Sequence, residues 1–137
     1  MHRGMRYLTV SDVCEIHHAE AGESFFDFGL LESAVLRPQQ TVAGQDVYPD
    51  LHTKAAALFH SLVRNHAFLD GNKRTAVLAV IVFYNLNGWT VHADSGEIVA
   101  LAVDTAEDLR DVDAIAKSLG GWARPIALLD SEDESAE

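Results

Sequence analysis

Apolar residues recur through most of this chain at helical spacing, and the polar interruptions fall where helices begin and end. Val10, Val13, Cys14 and His17 line one stripe, with Thr9 as N-cap, Asp12 at the third helical position and Gly22 as the stop, so the pattern predicts a helix over Val10–Ala21. A short second helix, Gly29–Leu36, carries Leu30, Leu31, Ala34 and Val35. Arg37-Pro38 should close it, because the residue before a proline avoids the helical region. Residues Gln39–Pro49 hold Val42, Gly44 and Val47 without helical period and read as an exposed loop with room for a small hairpin. Leu51, Ala55, Leu58, Phe59 and Leu62 then mark an amphipathic helix from about Asp50 to Asn65 that delivers His66 at its end. Asn72–Leu86 is apolar on every side beyond its first turn, the mark of a central helix, and Asn87-Gly88 stops it. A fifth helix starts at Asp94 or Ser95 and runs to about Thr105. A sixth starts at Asp111 and runs to Leu119, where Gly120-Gly121 should end it.

These elements predict an all-α domain of about six helices around a buried helical hairpin. At 137 residues one domain suffices, over residues 1–125, with 126–137 as an acidic tail too poor in apolar residues to fold alone. The longest apolar run, Ala76 to Tyr84, is far short of the roughly 20 residues a membrane-spanning helix needs. A formal charge of −11 argues against direct nucleic-acid binding, which needs clustered cations to displace counterions. Removing the tail's acids, Asp130, Glu132, Asp133, Glu134 and Glu137, still leaves an acidic body. A single cysteine, Cys14, and an N-terminus without a signal-peptide apolar core fit a cytoplasmic protein.

Against that background the run His66-Ala67-Phe68-Leu69-Asp70-Gly71-Asn72-Lys73-Arg74 stands out. It joins the third and fourth predicted helices through a short loop. Lys73 and Arg74 sit in the first turn of the second helix, facing the positive end of its dipole, at a cost of about a few tenths of a kcal/mol. A bound polyphosphate would reverse that cost, since backbone N–H groups at a helix N-terminus and adjacent cations both attract anions. Phosphoryl or nucleotidyl transfer needs a base for the attacking hydroxyl, an acid residue for Mg²⁺, and donors around the phosphates. His66, Asp70, the N–H groups from Gly71 onward, Lys73 and Arg74 are candidates for those parts. Phe68 reads as a core anchor for the loop, and Asn72 as a natural N-cap whose amide could also reach a phosphate or metal.

At these residues the chain resembles the Fic/Doc superfamily, whose signature is His-x-Phe-x-(Asp/Glu)-(Gly/Ala)-Asn, then Gly or Lys, then Arg. His66, Phe68, Asp70, Gly71, Asn72 and Arg74 fall in register. Lys73 stands where nucleotidyl-transferring members carry glycine, a substitution that resembles the Doc branch, toxins of bacterial toxin–antitoxin modules; Val77 stands where the usual signature has a second arginine, a departure that speaks against AMP transfer. Gly29-Leu30-Leu31-Glu32-Ser33-Ala34 with Arg37-Pro38, and Tyr48-Pro49-Asp50-Leu51, extend the likeness. The resemblance implies a Fic fold with the active loop between the two central helices and a flap within Gln39–Pro49. It implies ATP and Mg²⁺ as cofactors, with Asp70 toward the metal, His66, Asp70 and Lys73 as catalytic residues, and Gly71, Asn72, Lys73 and Arg74 around the phosphates. The reaction it implies is transfer of the γ-phosphate to a protein hydroxyl, best known on translation elongation factor Tu. AMP transfer and a non-catalytic phosphate- or peptide-binding module are the alternatives.

Many members of the superfamily carry an inhibitory helix with Ser/Thr-x-x-x-Glu-(Gly/Asn). Ser11 to Glu15 has that spacing, but Ile16 follows, so the segment reads as an ordinary helix and inhibition falls to a separate antitoxin. His17, His18, His52, His60 and His92 show no tight metal spacing, and His17 or His60 suits a helix interface.

Overall fold

The computed structural model describes residues 4–23 and 25–127, and of the expected tail only Ile126 and Ala127 fall among them. Six α-helices form among the described residues: α1 (Val10–Ala21), α2 (Phe28–Leu36), α3 (Leu51–Arg64), α4 (Asn72–Leu86), α5 (Ser95–Ala106) and α6 (Val112–Trp122). The caps follow local chemistry. Thr9 and Asp12 form a capping box on α1, Asp50 and Thr53 form another on α3, and Asp27 and Asp111 cap α2 and α6 through their carboxylates.

The antiparallel pair α3–α4 is the centre, with α2 and α6 packed on α3 and with α1 and α5 on α4. Ala55, Ala56, Ala76 and Ala79, all fully buried, let the helices approach, while Phe59, Leu58, Phe83 and Tyr84 fill the space between layers. The Tyr84 hydroxyl meets Nδ1 of His52 at 2.9 Å. Burial, with a smaller push from Asp50, holds that phenol far above its ordinary pKa.

Three local expectations need correcting. The second helix starts one residue earlier, at Phe28, because the Asp27 carboxylate accepts the Leu30 N–H at 2.9 Å. Arg37 is helical despite preceding a proline (φ −55°, ψ −44°), and the chain runs on into a 3₁₀ turn over Arg37–Gln39. The sixth helix passes through Gly120-Gly121 to Trp122. Glycine's helical penalty of about 1 kcal/mol is outweighed there by the burial of Leu119 and by the strand that follows at once. That strand, β4 (Ala123–Pro125), pairs antiparallel with β3 (Trp89–Val91) in the register Trp89↔Pro125, Thr90↔Arg124, Val91↔Ala123. Strands of three residues are too short to show a period.

The predicted hairpin is present as β1 (Thr41–Val42) and β2 (Gln45–Asp46), turning through Ala43 and Gly44, both at positive φ (53° and 79°). This is the turn chemistry that matches strand twist in a two-residue hairpin loop. Its strands are wholly exposed, and its base is pinned by two cations. Buried Lys54 of α3 donates to Asp46 Oδ2 at 3.1 Å and to the Pro38 carbonyl at 3.3 Å. Arg37 donates to the Tyr48 hydroxyl at 2.9 Å and, through Nη1, to His60 Nδ1 at 2.8 Å and Ser61 Oγ at 3.0 Å.

Candidate active site

The loop between α3 and α4 is held from three sides. Phe68 is buried, and its backbone pairs with Phe26 of the α1–α2 connection in an antiparallel bridge. Beside that bridge the Asp27 N–H donates to the Ala67 carbonyl at 2.8 Å. The Phe68 ring stacks on His17 of α1, centroids 3.8 Å apart and planes 4° from parallel. His17 Nε2 in turn donates to the Asp70 carbonyl at 2.8 Å, so one buried imidazole fixes both the anchor and the far end of the loop. Sequence reasoning placed His17 in a helix interface without linking it to the loop. Its position on the apolar stripe one turn after Val13 was the available signal.

Asn72 is not the N-cap. Gly71 takes that position in the left-handed conformation (φ 80°), and Asn72 opens the helix with its side chain turned back into the loop. Its Oδ1 accepts the Phe68 N–H at 3.0 Å and its Nδ2 donates to the Phe68 carbonyl at 2.7 Å. These two bonds fix the amide's orientation and leave its second N–H directed at His66 Nδ1, 3.3 Å away.

Removing Asn72 from capping leaves α4 without a side-chain cap, unlike α1, α2, α3 and α6. The N–H groups of its first turn are therefore available to an anion. Gly71 suits this position twice over. Its φ is left-handed, and a Cβ there would lie 3.4 Å from His17 Nε2. Asp70 is exposed, and its Oδ1 accepts the Gly71 N–H at 2.8 Å.

His66 lies two residues beyond the last residue of α3, at φ 52°. A left-handed histidine costs on the order of 1 kcal/mol, and the conformation ends the helix and leaves the imidazole exposed at the mouth of the loop. Because Nδ1 accepts from Asn72, the neutral ring carries its proton on Nε2.

Lys73 and Arg74 are exposed and, with Asp70, Gly71 and Asn72, line one end of a groove of about 740 Å³ between α1, α4 and α5. Arg74 Nη1 contacts Glu20 Oε1 of α1 at 2.7 Å. The acid that reaches Arg74 is thus Glu20, while Glu15, which has the spacing of the inhibitory motif, is exposed.

A helical fold whose two central helices are joined by this loop defines a class of proteins that place an uncapped helix N-terminus and two cations close to an imidazole. The chain belongs to the Fic/DOC family, whose model matches residues 7–84. It is 50% identical over 105 residues to "Toxin Doc" of Mycolicibacterium smegmatis, covering 71% of this chain and 76% of that protein. It is also 30% identical over 120 residues to "Protein kinase doc" of Escherichia phage P1, covering 84% of this chain and 94% of that protein.

Proposed function

We propose that this protein is a Doc-type toxin that transfers the γ-phosphate of ATP to a serine or threonine hydroxyl of a protein target, with translation elongation factor Tu as that target in the cytoplasm. The observation that carries this reading is the convergence on one groove end of an uncapped helix N-terminus, Lys73, Arg74 and Asp70, with His66 bonded to the same Asn72 that shapes the loop. The relatives named as a toxin and as a protein kinase support it.

In this reading the first-turn N–H groups of α4 and the side chains of Lys73 and Arg74 hold the phosphates and take up charge as it develops. The target oxygen attacks the γ-phosphorus, the bond to the bridging oxygen breaks, ADP leaves, and the hydroxyl proton passes to His66. Proton uptake at Nε2 requires the other tautomer of His66. The 3.3 Å contact to Asn72 is long and gives way at small cost.

A magnesium ion fits the donor set, because it takes one or two carboxylates together with phosphate oxygens and water, and Asp70 is a single exposed carboxylate oriented by the Gly71 N–H. Asp70 would hold it, and the ion would offset charge on the triphosphate. Val77, one turn beyond Arg74, offers no second cation, which favours terminal-phosphate transfer over AMP transfer.

The partner that restrains the toxin is a separate antitoxin. Beside the loop, Phe25, Phe28 and Leu69 are 85%, 57% and 80% exposed, an apolar surface suited to an amphipathic segment. The deciding experiment supplies ATP labelled at the α or the γ phosphorus with purified elongation factor Tu. Transfer of γ label, reduced about 10²-fold or more in His66→Ala, is expected. Transfer of α label alone would replace phosphorylation with AMP transfer, and growth arrest that survives His66→Ala would favour a binding module.

A further inference from the structure

A second cavity, of about 610 Å³, lies between the base of the hairpin, α3 and the start of α6, and shares no residue with the groove at the loop. Thr53 and His60, which α3 contributes to it, lie roughly 17 and 6 Å before the end of that helix at Arg64, so the cavity runs back along α3 away from His66. Its walls are mixed. Val47 and Pro49 at the hairpin base and Val112 of α6 give apolar surface, and Asp111 and Asp113 stand exposed at the start of α6. Asp111 is oriented by the Ala114 N–H, which its Oδ1 accepts at 2.8 Å. The cations of this region are engaged elsewhere. Arg37, on the opposite wall, spends Nε on the Tyr48 hydroxyl and Nη1 on His60 and Ser61. Arg64 donates to the Ala106 carbonyl, and Arg110 pairs with Asp104. Among the described residues neither Asp111 nor Asp113 forms an ion pair.

We infer that this cavity docks a lysine or arginine side chain of the protein target, away from the hydroxyl that is modified. The inference rests on the proposed transfer to a protein and adds a feature the target must carry. The chemistry of the walls selects a basic side chain. Two carboxylates without a paired cation repel phosphates and acidic side chains, and an apolar side chain gains nothing from them. A long basic side chain matches both parts of the cavity, its methylene stem along Val47, Pro49 and Val112 and its charged head at Asp111 and Asp113. Arg37 completes the site. Its Nη2 has no acceptor among the described residues, so it can donate to a backbone carbonyl of the same segment. Charge complementarity of this exposed kind steers encounter and fixes register, so its effect falls on KM for the target and leaves the chemical step alone.

The test compares the full chain with a double variant, Asp111→Asn with Asp113→Asn. Asparagine has the shape of aspartate and caps helices as well, so α6 keeps its N-cap, and circular dichroism with thermal melting verifies the fold. With γ-labelled ATP and purified elongation factor Tu, KM for the target is expected to rise about three- to tenfold in the variant, with kcat and ATP binding unchanged. Added salt should raise KM of the native protein more than that of the variant. A change in KM below about twofold overturns the inference. A second arm needs no transfer: both proteins are titrated with the blocked peptides acetyl-Gly-Arg-Gly-amide and acetyl-Gly-Gln-Gly-amide while backbone amide NMR signals are followed. The arginine peptide should move the signals of Val112 and Asp113 in the native protein and not in the variant, and the glutamine peptide should move them in neither. An equal response to the two peptides overturns the inference. Spermidine moving the same signals, with KM unchanged in the variant, would assign the cavity to free cations and overturn it as well. If native protein transfers no γ label, the proposed function falls, and the peptide arm alone decides whether the cavity takes a basic side chain.

Discussion

The side-chain amide of Asn72 pairs with both backbone polar groups of Phe68, accepting its N–H at 3.0 Å and donating to its carbonyl at 2.7 Å, as a neighbouring strand would. Both residues are buried, so water cannot replace these bonds. Asn72→Ala leaves a buried donor and a buried acceptor unpaired, each at about 1–3 kcal/mol, and a total loss of about 2–6 kcal/mol is expected in urea unfolding. Asn72→Asp keeps the acceptor but places a carboxylate against the Phe68 carbonyl, and it should destabilise at least as much.

His17 separates loop geometry from loop anchoring. His17→Phe preserves the stack on Phe68 and removes the bond to the Asp70 carbonyl. Stability should fall by about 1 kcal/mol or less. The proposed phosphotransfer should fall by about tenfold or more, because Asp70 and the first turn of α4 lose their fixed position. Melting temperature and initial rate, measured on the same preparation, distinguish this outcome from general unfolding.

Much of this arrangement is legible from sequence, and the failures share a cause. The long helices α1, α3 and α4 are read almost to the residue, because caps and stops there are local chemistry. The residues of the loop are identifiable by type and order. Their mutual roles are not, because these depend on contacts across sequence distance. Glu20 meets Arg74, His17 meets Asp70 and Phe26 pairs with Phe68 through tertiary packing alone. Asn72 misleads because an asparagine before an apolar run is a good cap in isolation, and only Gly71's left-handed backbone frees it to turn inward.

Glu20 competes with any anion for Arg74. The pair is largely solvent-exposed, with side-chain exposures of 29% for Glu20 and 71% for Arg74, so it is worth at most about 1 kcal/mol. Glu20→Ala is therefore expected to tighten ATP binding by no more than about fivefold, with the melting temperature nearly unchanged. Arg74→Ala should weaken binding by more, since it removes one of the two cations that the proposed function assigns to the phosphates. Titration of both variants with ATP at low salt, where screening is least, gives the comparison.

Lys54 holds the hairpin rather than the core. Its ammonium is buried and spends its bonds on Asp46 of β2 and the Pro38 carbonyl. Lys54→Met fills similar volume but leaves the Pro38 carbonyl and the half-exposed Asp46 carboxylate without their partner, so the fold should lose about 1–3 kcal/mol. The hairpin, no longer tied, should lose its set position. If it aligns the protein target, KM for that target rises about tenfold while ATP binding is unaffected. Equal KM in the variant would show that the hairpin does not meet the target.

His60 ties the other side of the hairpin's base to pH. Its pKa is lowered, first by burial and then by Arg37 and Arg64, with Asp108 and Asp111 opposing. Arg37 can only donate, so its 2.8 Å bond to Nδ1 needs the neutral ring. The unfolded chain takes up a proton as pH falls below about 6.5, while the folded ring resists it. Stability is therefore full above that pH and declines as pH falls toward the lowered folded value. The slope should stay well under the single-proton limit of about 1.4 kcal/mol per pH unit, because the ring is only half-buried and water screens it. His60→Gln retains an acceptor for Arg37 without a titrating group, so its melting temperature should fall less than the native protein's between pH 7 and pH 5.5. An identical acid limb in the two proteins would assign the decline to other groups.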